Sequence, residues 1–249
     1  MRTRRLVPVA AVSGAVIAVA ALALSGCAAA VPDGSADARR PEAARDAPTA
    51  APVPAARAAA PSATGGLVVT IGDSIMAGLG LDEDEAWPAL LARDTGADIV
   101  NLSCSGAGFT IEGDCGDDLG GLVDEAIAMD PAVVIIQSSD NDLDAAQDEI
   151  DDATRAAVDR LRAGLPDARL IGIDTLWHID DDEPDAIGWA SDALQSALDA
   201  DDGVFVSIGQ PLRGRPDLLQ WDGEHPTAEG QVVLADAVEA ALDEAGITL

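Results

Sequence analysis

From residue 67 to the C-terminus, short apolar runs alternate with segments whose apolar residues recur every three or four positions. Leu67–Ile71, Asp98–Ser103, Ala132–Gln137, Arg169–Ile173 and Val204–Ile208 read as strands. The run from Ala132 is apolar up to Gln137, without alternation, as expected of a parallel strand covered on both faces. Helical periodicity fills the gaps. It marks Glu85–Asp94, with Trp87, Leu90 and Leu91 on one face, then Leu119–Met129, Asp144–Ala163 and Asp185–Leu198. A last helix spans about Thr227 to Ala245, with Leu234, Val238 and Leu242 at i, i+4 and i+8. Five strands alternating with helices predict a three-layer α/β/α sandwich around a parallel five-stranded sheet. Right-handed crossovers favour a doubly wound order 2-1-3-4-5, in which ligands sit beyond the carboxyl ends of the strands.

The first 66 residues lack this pattern. Arg2, Arg4 and Arg5 precede an apolar stretch from Leu6 to Leu24, the layout of an export signal over residues 1–26. The stretch closes in Leu24-Ser25-Gly26-Cys27, which resembles a bacterial lipobox. That resemblance implies cleavage before Cys27, a diacylglycerol on its sulfur and contact with the membrane through the lipid. A plain secretory signal or an uncleaved anchor is the alternative, and each carries the domain out of the cytoplasm, to the cell envelope or beyond. Residues 28–66 hold six prolines and show no apolar period. Together with Cys27 they are expected to form a disordered Ala/Pro-rich linker (27–66), reaching about 30–40 Å as a flexible chain. The domain is expected to be residues 67–249, as a monomer.

Charge narrows the partners. Lysine is absent, and the 14 basic residues, all arginine, face 45 acids, for a net charge of −31. The signal and linker carry half of the arginines, so residues 67–249 hold seven against 41 acids. Such a surface repels polyanions, which excludes nucleic acid as a partner. Aromatics are few, with four Trp, two Phe and no Tyr, so the core must be aliphatic. Export places Cys104 and Cys115 in a disulfide-permissive compartment, where a bridge is favoured over two buried thiols. Two cysteines without a nearby histidine fall short of a metal ligand set, and neither metal nor cofactor is expected.

The candidate chemistry lies where the first strand ends, at Gly72-Asp73-Ser74. A serine there sits at the carboxyl edge of the sheet and at a helix N-terminus, where backbone N–H groups are free and negative charge is favoured. A nucleophilic serine needs a base, and the chain has two histidines. His225 lies in Trp221-Asp222-Gly223-Glu224-His225-Pro226-Thr227, with Asp222 placed to turn back and orient its ring.

These motifs, in this order, resemble the SGNH (GDSL-type) hydrolase family, whose fold is flavodoxin-like. The resemblance covers residues 67–249. It implies Ser74 as nucleophile, His225 as base and Asp222 as its partner. Asn101-Leu102-Ser103-Cys104-Ser105-Gly106 resembles the second family block, which implies that Gly106 lends its N–H to the oxyanion beside that of Ser74. Ser139-Asp140-Asn141-Asp142 resembles the third, Gly-x-Asn-Asp, which implies Asn141 as the remaining oxyanion donor. Ser139 departs from that pattern. If the backbone there takes a positive φ, serine is strained and Asn141 is re-aimed. Asp140, if it points inward, opposes a developing negative charge. Met76 stands where a Gly-x-Ser-x-Gly elbow has its second glycine, which argues against the larger α/β-hydrolase fold.

The expected activity is hydrolysis of a small-molecule or glycan carboxyl ester at the cell envelope. The alternatives are a non-catalytic glycan- or acyl-binding protein on the same fold, and an O-acyltransferase acting on envelope polysaccharide. Trp177-His178 follows the fourth strand and either lines the pocket mouth or is a hydrogen-bonded loop histidine. The run Asp180-Asp181-Asp182-Glu183 lacks the ligand spacing of a calcium loop and reads as a solvated cluster. Arg213 and Arg215 would admit an anionic substrate only if they faced the pocket.

Overall fold

The structure is a computed structural model that describes residues 65–179 and 182–249. The expected signal segment, the lipidation expected at Cys27, the expected linker up to residue 64 and Asp180-Asp181 lie outside the described residues. The strands are β1 (Val68–Ile71), β2 (Ile99–Asn101), β3 (Val133–Gln137), β4 (Arg169–Ile173) and β5 (Val204–Val206). They pair in parallel in the order β2-β1-β3-β4-β5, as the alternation of elements predicts. The helices are α1 (Ser74–Ala77), α2 (Trp87–Thr95), α3 (Leu119–Met129), α4 (Gln147–Gly164), α5 (Asp185–Ala200) and α6 (Ala228–Glu244).

The period-2 alternation of strand side chains builds two cores. Val69 and Ile71 of β1 and Val134 and Ile136 of β3 face α3, α4 and α5, meeting Leu122, Val123, Leu161 and Leu194. Their neighbours Val68, Val133 and Ile135 face the other way, onto Trp87, Leu90 and Leu91 of α2 and Leu234, Val238 and Leu242 of α6. The central strands β1 and β3 are therefore buried at every position, which explains their unbroken apolar runs. Each fully buried Leu, Ile or Val stabilises the fold by about 1.5–3 kcal/mol.

Several boundaries differ from the sequence expectation. Strand β2 ends at Asn101, whose side chain turns back into the sheet edge: it accepts from Thr70 Oγ1 and from the Ser103 N–H, and donates to the Met76 carbonyl. Helix α4 starts at Gln147 rather than Asp144, because Asp140–Asp142 form a separate 3-10 turn whose acids and amides serve the loops around them. Helix α2 follows its own 3-10 turn, Glu83–Glu85, and opens with Pro88 in its first turn. Cys104 and Cys115 are disulfide-bonded, the favoured of the two alternatives for that pair.

One polar side chain fastens the site-bearing end. Gln231 of α6 is wholly buried; it accepts from the Trp87 N–H at 2.9 Å and donates to the Ile75 carbonyl at 2.8 Å. It thereby fixes α1 and α2 against α6. Gln231→Leu leaves the buried Trp87 N–H without a partner, and a loss of about 1–3 kcal/mol of unfolding free energy is expected from urea titration. An unchanged midpoint would contradict this role.

Candidate active site

The turn after β1 is built to present Ser74. A Cβ at Gly72 would stand 2.9 Å from the Met76 sulfur, so a larger residue there would have to displace the buried Met76 side chain. Asp73 caps α1, its Oδ1 accepting from the Ile75 N–H at 2.9 Å. Gly78 closes this one-turn helix in the left-handed conformation (φ 74°), where glycine is favoured. Ser74 is the first helical residue and keeps 8% of its surface exposed. No hydrogen bond to its amide is found among the described residues.

His225 arrives from the opposite end of the chain. Its Nε2 lies 2.9 Å from Ser74 Oγ, and its Nδ1 lies 2.9 Å from Asp222 Oδ2. The other Asp222 oxygen accepts from the Glu224 N–H at 3.0 Å and the His225 N–H at 3.1 Å, so one carboxylate shapes the loop and orients the ring. Leu219 and Pro226 form an antiparallel bridge, and the Gln220 N–H donates to the His225 carbonyl at 2.7 Å. The Gln220 side chain donates to the Leu79 carbonyl at 2.7 Å, tying this loop to the end of α1. Thr227 then caps α6.

His178, of uncertain role in the sequence, is buried, and its Nε2 meets the Glu224 carbonyl. It braces the loop one residue before His225. Burial lowers its pKa, although Glu224, Asp73 and its own hydrogen bond act the other way. Nothing but tertiary structure brings Glu224 to it, which is why the sequence left its part open.

Gly106 sits at φ 79° inside the loop closed by the Cys104–Cys115 bridge, and no hydrogen bond to its amide is found among the described residues. Asn141 lies against the same loop, its Nδ2 donating to the Ala107 carbonyl at 3.2 Å and to Ser139 Oγ at 2.8 Å. Asp142 is buried and accepts from the Phe109 N–H, the Thr110 N–H and the Thr110 hydroxyl at 2.9, 2.8 and 2.6 Å. A Cβ at Gly108 would stand 2.4 Å from that carboxylate. The strain anticipated at Ser139 is absent: its φ is −117°, ordinary extended backbone.

Several carboxylates lie in and around the site, and Asp222 is the one hydrogen-bonded to the His225 ring among the described residues. Burial raises the Asp73 carboxyl, while Ser139, the Ile75 and Met76 amides and His225 pull it down less strongly. Burial, with Asp73, Glu224 and Asp142 nearby, pushes Asp140 up to about 7. For Asp222 burial acts upward, but hydrogen bonds from Glu224 and His225 outweigh it and hold the carboxyl below its usual range. Arg213 pairs with Glu183 at 2.5 Å and Arg215 with Asp217 at 2.8 Å, so each arginine already faces an acid. A cleft of about 740 Å³ opens beside Asn141, lined by Thr110, Ile111, Ala145 and Ala153 together with the acids Asp144, Glu149 and Asp152. No group of three or more potential metal ligands, and no helix long and apolar enough to cross a membrane, occurs among the described residues.

The model of a family described as GDSL-like Lipase/Acylhydrolase matches residues 70–233. A GDSL lipase of Mycobacterium tuberculosis, Rv0518, is 30% identical over 184 residues, spanning 69% of this chain and 79% of its own. In solved structures, TesA superposes with a TM-score of 0.59 at 23% identity, over 72% of this chain and 98% of its own. The psychrotrophic esterase EstA from Pseudoalteromonas sp. gives 0.57 at 19% identity, over 72% and 97%. The acetylxylan esterase Axe2 from Geobacillus stearothermophilus gives 0.56 at 19%, over 71% and 94%. At these identities the structural likeness speaks for the fold.

Asp140 yields a prediction about stability. Its folded pKa, about 7, lies above its ordinary 3.8, so the folded state binds the proton more tightly. Stability from this group is therefore present at low pH and lost as pH rises from about 4 to about 7. The unfolding free energy of Asp140→Asn relative to the native chain should rise between pH 4.5 and 7.5, read from urea midpoints. A difference that stays constant would contradict the assignment.

Proposed function

Because the chain belongs to the GDSL-like lipase/acylhydrolase family and is a serine ester hydrolase, we propose that it cleaves carboxyl esters through Ser74, His225 and Asp222. The single observation that carries this is the unbroken pair of contacts, Ser74 Oγ to His225 Nε2 and His225 Nδ1 to Asp222 Oδ2, each 2.9 Å. Both lie within the distance that proton transfer to a general base requires.

In the proposed mechanism His225 Nε2 takes the Ser74 proton as Oγ attacks the ester carbonyl. Asp222 holds Nδ1–H and stabilises the imidazolium that forms. The tetrahedral oxyanion is met by the Ser74 and Gly106 N–H groups and the Asn141 amide. Collapse breaks the ester C–O bond, and the imidazolium gives its proton to the departing alkoxide. Water, deprotonated by His225, then attacks the acyl-enzyme, releasing the carboxylic acid and restoring Ser74.

Substrate class follows from charge and shape. The domain's acidic surface, with Arg213 and Arg215 both paired to acids, disfavours anionic esters and favours neutral small-molecule or glycan esters. The cleft beside Asn141 offers apolar floor to an acyl or alcohol group. Trp221, 95% exposed and next to Asp222, is available to lie against a sugar face. Envelope location rests on the N-terminal arginines, the apolar stretch and Cys27, which support a lipid anchor. The non-catalytic alternative drew on Ser139 and Asp140 in place of the family pattern, and the extended backbone at Ser139 withdraws the first of these two supports.

The purified chain should hydrolyse a short-chain nitrophenyl ester, and Ser74→Ala should lower kcat by at least about 10³-fold. Activity indistinguishable from Ser74→Ala across several acyl lengths would overturn the proposal. Adding an acceptor sugar and analysing products separates hydrolysis from acyl transfer.

A further inference from the structure

Ser139, where the chain departs from its family pattern, is 1% exposed and makes three hydrogen bonds around the site. Its Oγ donates to Asp73 Oδ2 at 2.6 Å and accepts from the Asn141 N–H at 3.0 Å and from Asn141 Nδ2 at 2.8 Å. We propose that Ser139 is a positioning residue that clamps the Asn141 amide to Asp73, beside the nucleophile, before substrate arrives. This deepens the hydrolase proposal and rests on it for its effect on turnover.

The inventory of the hydroxyl decides the geometry. A serine has one proton and two lone pairs. The Asp73 carboxylate takes the proton, with the short distance of a charge-assisted bond. Both lone pairs then face donors on Asn141. The amide must therefore present nitrogen to Ser139, because its oxygen would meet no proton there. Its second hydrogen points at the Ala107 carbonyl at 3.2 Å, longer than the usual 2.9–3.0 Å. Of the two bonds, the one to Ala107 is the weaker, and it is the one an oxyanion can displace while Ser139 keeps the amide in place.

The other end of the clamp is equally fixed. Asp73 Oδ1 accepts from the Ile75 N–H, so the carboxylate is anchored in the turn that carries Ser74. A continuous chain of contacts runs from that turn through Asp73 and Ser139 to Asn141 and on to Ala107, next to Gly106. Backbone geometry does not require glycine at position 139, since φ is −117° and ψ 148°. Removing the hydroxyl leaves a buried carboxylate oxygen short of a donor and frees the amide to rotate. Among the contacts that hold the Asp73 proton affinity down against burial, that from Ser139 is the foremost.

The test uses the full chain with Ser139→Ala, Ser139→Gly, Asn141→Ala and the Ser139→Ala/Asn141→Ala double variant. If Ser139 acts through Asn141, each Ser139 variant lowers kcat about 10- to 100-fold with KM changed less than about threefold. The double variant then loses no more than Asn141→Ala alone. Full activity in both Ser139 variants, or a double loss equal to the product of the single losses, overturns the proposal. A readout without turnover separates it from the hydrolase reading. The Asn141 side-chain amide pair, assigned by its loss in Asn141→Ala, should exchange slowly with water in the native chain and at least about tenfold faster in Ser139→Ala. An unchanged exchange rate overturns the clamp whether or not esters are cleaved, whereas slow exchange in a chain that cleaves no ester leaves the clamp standing and removes the hydrolase reading.

Discussion

The contact on which the site depends is the 2.9 Å approach of His225 Nε2 to Ser74 Oγ, made across 151 residues of chain. Ser74 hangs from the first strand, and His225 from a loop just before the last helix. A misplacement of about 1 Å at such a contact can cost two orders of magnitude in rate. The rest of the domain holds those two ends in register. The sheet sets β1 between β2 and β3, the buried Gln231 of α6 grips α1 and α2, and Gln220 and His178 brace the loop from either side. The histidine is thus held by main-chain and side-chain contacts that owe nothing to substrate.

Electrostatics sharpen this arrangement. A serine attack creates two charges, a cation on the imidazole and an anion on the former carbonyl, and they make opposite demands. Asp222 lies against the ring and is held below the usual carboxylate range, suited to partner a cation. Asp73, which caps the helix of Ser74, is buried and Asp140, next to Asn141, is partly buried, and burial pushes both upward in pKa. Hydrogen bonds favour the charge of the carboxylate that touches the ring, whereas at Asp73 and Asp140 burial works against it, opposed at Asp73 by the bond from Ser139. The acidity evident from the sequence is therefore not uniform in effect near the site.

The architecture was legible because the central strands are buried on both faces and so read as apolar runs too short for helices, and because crossover handedness left few orders. Edge strands were less legible: β2 and β5 are shorter than their apolar runs, since Asn101 and Asp174 use side chains to turn the chain away. The motif residues Ser74, Asp222 and His225 are brought together as their order along the chain implied. What the sequence could not disclose were contacts between distant loops. Ser139 read as a weakness because only its backbone preference was visible, whereas its hydroxyl meets Asp73 from 66 residues away. His178 meets Glu224 in the same way, and Asp142 meets the 109–110 turn. None of these pairs has a local spacing signature, because each depends on where the sheet places its loops.

The central claim is that Ser74 is a nucleophile activated by His225. A fluorophosphonate probe incubated with the folded chain, followed by mass spectrometry of its peptides, tests it directly. The account predicts a single phosphonylated residue, Ser74, and labelling slowed at least about 100-fold in His225→Ala. Labelling elsewhere, or labelling of Ser74 at the same rate without His225, would contradict it.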